Sequence, residues 1–577
     1  MNKNKLLTYT LIITILGVTA CKKQLQVGNP NQPTFTANVN NESGMISFVQ
    51  GSTYINGFVT GLGWLGDSYF SLPYGYSEIL ADQVGADVAN NEVQNLGVPL
   101  LVTLSNGTTI PGPNPQTSFI RSFNTRAATG ASNNVTYYYW MPMYSLNQAC
   151  NSILNVVDKI PYSGDATTKA NTIKAWCYWW KGYAYSVIGS MYYSGLIIDS
   201  LGAPNNNYVL HDSIIAHSDS YFEKAIDILS SGIASQSDYT SLLGQIIPQS
   251  FQQNHGGVPT PAQWIKNANT MLARNILTSK LNPFVNGQLN STIQKSSTAT
   301  MTASDWQSVL NYATKGIQNG DVVFSGKSIS VNSIFSALGG TAAVMTTGTN
   351  TNSAFKITER FIQNFKSRDK RFSTNFVTYP NLLDSVKTNG KYADTATLYY
   401  NTNYSTRWNM VDRSLWNNVQ NGVYVYGAKG YGDLEAYMAG SYEENALMLA
   451  EGNIMTNNID AGLAYVDAVR DYQGAGVAHV MGKGLTQPEA MQELVMERRV
   501  SLVFRGLSYY DSRRWGWIYD VSNGGGNYNA NFYTSTGVLD TKALINYSFL
   551  DYWDVPADES VLNPPGTGSA VTVNPNF

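Results

Sequence analysis

The sequence predicts a mainly α-helical protein of tetratricopeptide-like helical hairpins, with long irregular loop regions and a few short strands. Apolar residues recur at the three- and four-residue spacing of a buried helix face over much of the chain. Small residues at that spacing face bulky ones, as in tetratricopeptide hairpins, although no strict repeat of about 34 residues is present. Segments rich in Gly, Ser, Thr and Asn interrupt the helical pattern at residues 51–135, 233–260, 320–432 and 517–577.

Residues 1–20 are predicted to be a signal peptide. Lys3 and Lys5 precede a mostly apolar stretch from Leu6 to Val18, which is too short to cross about 30 Å of hydrocarbon as a helix. The stretch ends in Val-Thr-Ala-Cys, which resembles a bacterial lipobox and implies cleavage before Cys21 and acylation of that residue. An ordinary secretory signal is the alternative interpretation.

The rest of the chain divides into a tether and one large domain. Residues 21–40 are polar and contain Pro30 and Pro33, so we expect a lipidated, extended tether. Residues 41–577 are predicted to form a single helical domain.

Periodic segments define the predicted helices of this domain. A strong turn at residues 161–165 separates the two helices of a first hairpin. Their apolar positions are Met143, Leu146, Cys150, Ile153, Leu154 and Val157, then Ile173, Trp176, Cys177, Trp180, Ala184, Val187, Ile188 and Met191. Further helices are indicated around Phe222–Leu229, Ile265–Ile276, Trp306–Ile317, Tyr442–Asn453 and Ala461–Val469. Trp176, Trp179, Trp180 and Trp306 lie on these helices and are predicted to be core residues.

Two aromatic clusters in the irregular segments are candidate ligand platforms. Glycines interrupt the first cluster, which favours a loop over a core helix. The second lies at residues 399–416, and Tyr-Val alternation at 423–426 predicts short strands nearby. An aromatic face accepts the C–H face of a sugar, while Asn, Asp and Arg bind its hydroxyls. The candidate ligand-binding residues are Trp64, Tyr69, Tyr74, Tyr76, Asp82, Trp408 and Trp416, with packing within the loops as the alternative.

Composition limits the range of functions. Only 13% of residues are charged and the net charge is −3, so the chain lacks the basic excess of a nucleic-acid-binding protein. Abundant Tyr and Asn favour neutral, hydroxylated ligands. Four histidines and three cysteines are not spaced as a zinc site, and we expect neither metal nor cofactor. Cys150 and Cys177 are interpreted as buried apolar residues, with a disulfide as the alternative.

The motifs that are most specific for a protein family lie in the C-terminal segment, at about residues 440–577. Glu497-Arg498-Arg499 is followed by Phe504-Arg505-Gly506-Leu507 and by Asp511-Ser512-Arg513-Arg514-Trp515-Gly516. This order resembles the signature of the SusD/RagB family of outer-membrane nutrient-binding lipoproteins. Other segments agree in order: Asn29-Pro30-Asn31, Tyr144 to Asn151, Leu449-Ala450-Glu451, Asp467 to Arg470, Val555 to Glu559 and Asn563-Pro564.

The charged residues of this signature are interpreted chiefly as structural. Arg forms bidentate pairs with carboxylates, so Arg498 or Arg499 is expected to pair with Asp511 or Glu497 inside the domain. A ligand or partner site at these residues is the alternative. The family commonly has an acidic residue where Arg505 stands, so a salt link at that position is expected to be absent or inverted.

The resemblance implies a cell-surface glycan-binding lipoprotein that is anchored in the outer membrane and faces the exterior. It also implies a partner, a SusC-like TonB-dependent transporter, to which a captured oligosaccharide or polysaccharide is delivered. The alternatives are a peptide-binding member of the same family, a tetratricopeptide-type protein adaptor and a secreted glycoside hydrolase.

We expect binding without catalysis. No Gly-x-Ser-x-Gly motif is present. The acidic pair Glu443-Glu444 opens a predicted helix, where adjacent side chains point in different directions, unlike the facing carboxyls of a glycosidase.

Overall fold

The computed structural model describes residues 39–50, 73–86, 95–125, 134–202, 205–247, 252, 255–327, 355–373, 376–378, 387–388, 391–392, 408–410, 435–534 and 536–577. The predicted signal peptide, Cys21 and nearly all of the tether lie outside these residues, as does the alternating segment 423–426.

Helices dominate the described part of the chain. They are α1 (Glu42–Val49), α2 (Pro73–Leu80), α3 (Gln116–Phe123), α4 (Tyr137–Leu154), α5 (Ala166–Met191), α6 (His211–Ser231), α7 (Gln236–Ile246), α8 (Pro261–Thr278), α9 (Ala303–Thr314), α10 (Glu359–Ile362), α11 (Lys370–Ser373), α12 (Tyr442–Met455), α13 (Ile459–Tyr472), α14 (Gln487–Ser501), α15 (Ser508–Arg514) and α16 (Ala557–Leu562).

Side-chain caps explain where several of these helices begin. The carboxylate of Asp165 accepts a hydrogen bond from the Thr168 backbone at the start of α5 (2.9 Å). Thr260 and Gln263 form a capping box at the start of α8, with Pro261 in the first turn. Such caps satisfy backbone N–H groups that have no partner within the helix.

The long helices form a stack of antiparallel hairpins. Helix α4 packs on α5, α5 on α6, α6 on α8, α8 on α9, α9 on α12, α12 on α13, and α13 on α14. Helices α5 and α6 approach closely at Gly182, where an added Cβ would lie 2.9 Å from the Phe222 ring. The predicted tetratricopeptide-like architecture is therefore confirmed, with each hairpin burying its apolar face against the next.

The hairpins enclose continuous apolar cores. Trp176, Trp179, Trp180 and Trp306 are all buried, as the helical spacing predicts. The first three, with Trp264, belong to the largest core of the described residues, which also includes C-terminal residues such as Trp553, and a second core lies among α12, α13 and α14. Cys150 and Cys177 are buried free thiols on α4 and α5, so their interpretation as small core residues is confirmed.

Short antiparallel strands lie in the long segments between the helices. One sheet has the order β1 (Val84–Ala86), β7 (Phe355–Ile357), β11 (Trp408–Met410) and β8 (Phe376–Thr378), and another has β13 (Asn527–Tyr533), β14 (Leu539–Asn546), β2 (Leu101–Thr103) and β3 (Thr109–Pro111). The two-stranded pairs are β4 (Ser194–Leu196) with β5 (Tyr208–Leu210), β6 (Phe324–Lys327) with β12 (Glu435–Ala439), and β9 (Lys387–Thr388) with β10 (Lys391–Tyr392).

The segments predicted to be irregular contain helices, among them α7 and α2. Helix α7 lies within 233–260, where Ser235 caps it and Tyr239, Leu242, Leu243 and Ile246 are buried at helical spacing. Helix α2 lies within the glycine-interrupted segment, and its Tyr76 is 1% exposed. A single glycine costs a helix about 1 kcal/mol, which burial of neighbouring side chains readily offsets.

None of the described helices is both long enough and apolar enough to cross a lipid bilayer.

Candidate ligand-binding site

The signature motifs meet in a buried ion-pair cluster formed by Glu451, Arg498, Asp511 and Arg514, which we call the signature cluster. Arg498 donates two hydrogen bonds to the Asp511 carboxylate, at 2.9 and 3.0 Å. Arg514 donates to Asp511 (2.8 Å) and also to Glu451 (2.6 Å between Nη2 and Oε2). The four charges balance and connect α12, α14 and α15.

The predicted pairing of Arg498 with Asp511 is thus confirmed, and it is structural. Glu497 instead contacts Arg371 and Arg470, with Nε of Arg470 2.8 Å from Oε2. Burial would raise the pKa of Glu497, but these two guanidinium groups outweigh it and hold the pKa at about 2. Arg505 pairs with Glu443 at 3.4 Å, so the salt link at this position is inverted: an arginine stands where the family commonly has an acidic residue.

The side chain of Arg513 caps the C-terminal ends of two helices. Its guanidinium donates to the backbone carbonyls of Ser190 in α5 and Thr278 in α8, at 2.7 and 2.6 Å. A cation at the C-terminus of a helix satisfies free carbonyls and complements the helix dipole. The signature therefore fixes the C-terminal segment on the hairpin stack.

Next to the signature cluster lies a cavity of about 510 Å³, which we call the amide-lined cavity. Five chain segments meet there: the loop 284–288, the helix α10 with the residues after it, one face of α14, the turn after α15, and the start of β13. The α14 face consists of Gln492, Val495, Met496 and Arg499, which share one side of the helix by their spacing. The volume is within the ~300–1,000 Å³ of small-molecule sites.

Amides and aromatic rings dominate the described lining. Tyr528 is 43% exposed, Trp517 is half-buried, and the rings of Trp515 and Trp517 lie 5.4 Å apart. The aromatic residues are Phe284, Trp515, Trp517 and Tyr528. The amide residues are Asn286, Gln288, Gln363, Asn364, Gln492, Asn527 and Asn529. Amide groups both donate and accept hydrogen bonds, and aromatic faces pack on apolar ligand surfaces.

Two arginines complete the lining, and their surroundings differ. Arg360 donates to both oxygens of Asp82, at 2.7 and 2.9 Å. Burial alone would lower the pKa of Arg360, but Asp82 outweighs it and the pKa is raised. Arg499 forms no ion pair with any described carboxylate, and burial lowers its pKa.

Residues 294–565 match the family model described as the SusD family. That segment belongs to the SusD/RagB family. The resemblance carried by the Glu-Arg-Arg and Asp-x-x-Arg-Trp-Gly motifs is thereby confirmed. No curated protein matches the chain.

Two solved structures of this family share the fold. A SusD superfamily protein from Bacteroides thetaiotaomicron has a TM-score of 0.51 and 13% identity, covering 90% of this chain and 97% of its own. A SusD-like protein from Bacteroides fragilis has a TM-score of 0.50 and 12% identity, covering 91% and 96%. A SusD-like carbohydrate-binding protein from Bacteroides vulgatus has a TM-score of 0.48 and 14% identity, covering 93% and 99%.

One described residue of each predicted cluster, Asp82 and Trp408, contacts the short helix α10 of this SusD-like chain. Asp82 pairs with Arg360 of α10, and it also accepts a hydrogen bond from the Tyr547 hydroxyl at 2.6 Å. The indole of Trp408 donates to Glu359, the preceding residue, at 3.1 Å. Strands β1 and β11 both pair with β7, the strand that directly precedes α10.

The candidate residues occupy different environments in this SusD-like fold. Tyr76 is in the core, 6.2 Å from the ring of Tyr139, and Asp82 is buried in its ion pair. Trp408 is half-buried and packs edge-on against Phe372 at 5.2 Å. Tyr74 lies on α2, while Trp64, Tyr69 and Trp416 lie outside the described residues. Their roles in ligand binding stay predictions.

Sequence reasoning missed the amide-lined cavity. One signal was available: Gln492, Val495, Met496 and Arg499 mix polar and apolar residues along one face of a helix. A second was the pattern Asn527-Tyr528-Asn529 close after Trp515-Gly516-Trp517. Within the described residues, no group of His, Cys, Asp and Glu is arranged to hold a metal ion.

Proposed function

We propose that this chain binds an oligosaccharide in the amide-lined cavity and delivers it to a TonB-dependent transporter in the outer membrane. The observation that carries the proposal is the lining of one cavity of about 510 Å³ by aromatic rings and amide side chains. A sugar needs both groups, because its ring presents C–H faces and hydroxyl edges. These groups bind a sugar without proton transfer, which supports capture rather than hydrolysis.

Two aromatic side chains are placed to act as platforms. Tyr528 is the more accessible of them, and Trp517 offers the larger ring. Each platform contributes about 0.5–1.5 kcal/mol. With hydrogen bonds from the amides, the site suits millimolar to micromolar affinity, which allows release to a transporter.

Replacing Tyr528 with Ala should weaken glycan binding about fivefold or more while leaving the melting temperature unchanged, since Tyr528 is 43% exposed. Affinity is measured by calorimetric titration with oligosaccharides that bind the wild type on a glycan array. The matched control is Tyr465→Ala on α13, which is 36% exposed and outside the cavity. Equal binding by all three proteins would contradict the site.

Assays of glycan turnover and of peptide binding test the other functions. Turnover of a bound glycan would indicate a hydrolase. Binding of peptides in place of glycans would indicate the peptide-binding alternative. The absence of binding to either class would favour a protein adaptor.

Membrane attachment and the transporter are tested together. Wild-type protein should fractionate with outer membranes and co-purify with a large β-barrel after mild detergent extraction, whereas Cys21→Ala should be soluble. Cys150→Ala is the control. Because Cys150 is buried in the domain, its substitution should leave the fractionation unchanged. A Cys21→Ala protein that stays in the membrane would contradict the anchor, and extraction without the barrel would contradict the partner.

A further inference from the structure

Arg499 differs from its neighbour in sequence, Arg498. Arg498 makes a bidentate ion pair with Asp511. Arg499 is 4% exposed and forms no ion pair with a described carboxylate. Two of its N–H groups reach the Ala81 carbonyl, both at 3.4 Å, which is long for such a bond. A guanidinium has five N–H donors, so most of its hydrogen-bonding capacity is unused among the described residues.

None of the described carboxylates around Arg499 forms an ion pair with it. Asp82 forms an ion pair with Arg360, and Asp511 forms ion pairs with both Arg498 and Arg514. Glu78 attracts Arg499 from a distance but forms no ion pair with it, and burial raises the pKa of Glu78 to about 7. The lining of the cavity that the structure describes contains no Asp or Glu.

The geometry of Arg499 suits an anion from the cavity. Its guanidinium carbon is 5.0 Å from the centre of the Trp517 ring, which orients the planar group beside a sugar platform. Arginine binds planar carboxylates and sulfate-type oxygens through two parallel N–H groups. A buried cation without a partner is costly, and an anionic ligand would remove that cost.

We propose that Arg499 binds the anionic group, a carboxylate or a sulfate ester, of an acidic oligosaccharide in the amide-lined cavity. This inference rests on the proposed function and specifies its substrate class. The low charge of the whole chain favours neutral ligands, but the cavity carries a local positive charge that composition does not reveal.

The experiment compares Arg499→Gln with Arg498→Gln, two neighbouring arginines on the same helix. The probes are oligosaccharides that share one sugar backbone and differ only in their charged group: a neutral form, a form with a uronic acid and a form with a sulfate ester. Wild-type protein should bind at least one acidic form about tenfold more tightly than its neutral counterpart, and Arg499→Gln should remove that preference. The affinity for the acidic form should also fall as salt is raised. The uronic-acid and sulfate arms identify which anion is recognised.

Melting temperature separates a ligand role from a structural one. Arg499→Gln should melt at the wild-type temperature or higher, because it removes a buried charge that has no ion pair with a described carboxylate. Arg498→Gln should melt at a lower temperature, because it leaves Asp511 with one partner fewer. A loss of stability in Arg499→Gln with unchanged acidic preference would overturn the inference.

The inference and the proposed function can fail separately. Equal affinity for neutral and acidic forms, unaffected by Arg499→Gln, would overturn the inference and leave glycan binding intact. Stabilisation by free glucuronate, lost in Arg499→Gln, with no binding of any oligosaccharide would support the anion site and contradict the proposed function. If neither glucuronate nor any oligosaccharide binds, both are wrong.

Discussion

Replacing Asp511 with Asn is expected to lower the free energy of unfolding by about 3–5 kcal/mol. Asp511 accepts hydrogen bonds from Arg498 and Arg514 and is buried with both. An asparagine removes the negative charge and leaves the two guanidinium groups with Glu451 alone. The resulting buried positive charge, rather than the lost contacts, causes most of the effect. The measurement is equilibrium unfolding in urea.

An exposed ion pair provides the control for Asp511. Lys174 and Asp158 lie 2.6 Å apart at the surface, with Asp158 more than half exposed. Asp158→Asn should cost less than about 1 kcal/mol, since water screens that pair. If Asp511→Asn is as mild as Asp158→Asn, the signature cluster does not hold α12, α14 and α15 together.

Replacing Glu78 with Gln should stabilise the protein at alkaline pH and have little effect at pH 5. Glu78 is fully buried and its pKa rises from 4.5 to about 7, chiefly because burial disfavours the charged form. Ser508 and Gln83 each donate a hydrogen bond to its Oε2 at 2.8 Å and oppose that rise without cancelling it. Gln has the same shape and no charge.

The sign of this effect follows from proton linkage. The folded pKa of Glu78 is above the unfolded one, so its contribution to stability is full below about pH 4.5 and is lost as pH rises through about 7. The loss amounts to about 3 kcal/mol by pH 8. Unfolding free energies of wild type and Glu78→Gln, measured from pH 5 to 8, should therefore diverge in favour of the variant. A constant difference across this range would contradict the burial of a raised-pKa carboxyl at this position.

Apolar periodicity and turn residues in the sequence were enough to predict the long helical hairpins. The α4–α5 and α12–α13 hairpins follow from apolar periodicity and turn residues. Helix α2 could not be predicted in this way, because its glycine weakens the local signal and burial of Tyr76 decides its conformation. Helix α7 was predictable from Ser235 and its apolar spacing, and the Gly- and Ser-rich flanks obscured it.

The candidate site was less predictable than the fold. Consecutive residues on a helix point about 100° apart, so only tertiary packing decides that Arg498 meets Asp511 while Arg499 meets a cavity. The amide-lined cavity joins residues from Phe284 to Asn529, and no local spacing links such distant segments. The signature motifs contain the residues that hold the C-terminal segment in place, and the cavity lies beside them.

The central claim is that the amide-lined cavity is where the glycan binds. It is tested most directly by a crystal structure with the tightest oligosaccharide from the glycan array. We predict a sugar ring against Trp517 or Tyr528 and an anionic group within hydrogen-bond distance of the Arg499 guanidinium. A sugar bound instead at Trp64 or Trp416, with this cavity empty, would contradict the claim and support the aromatic clusters predicted from the sequence.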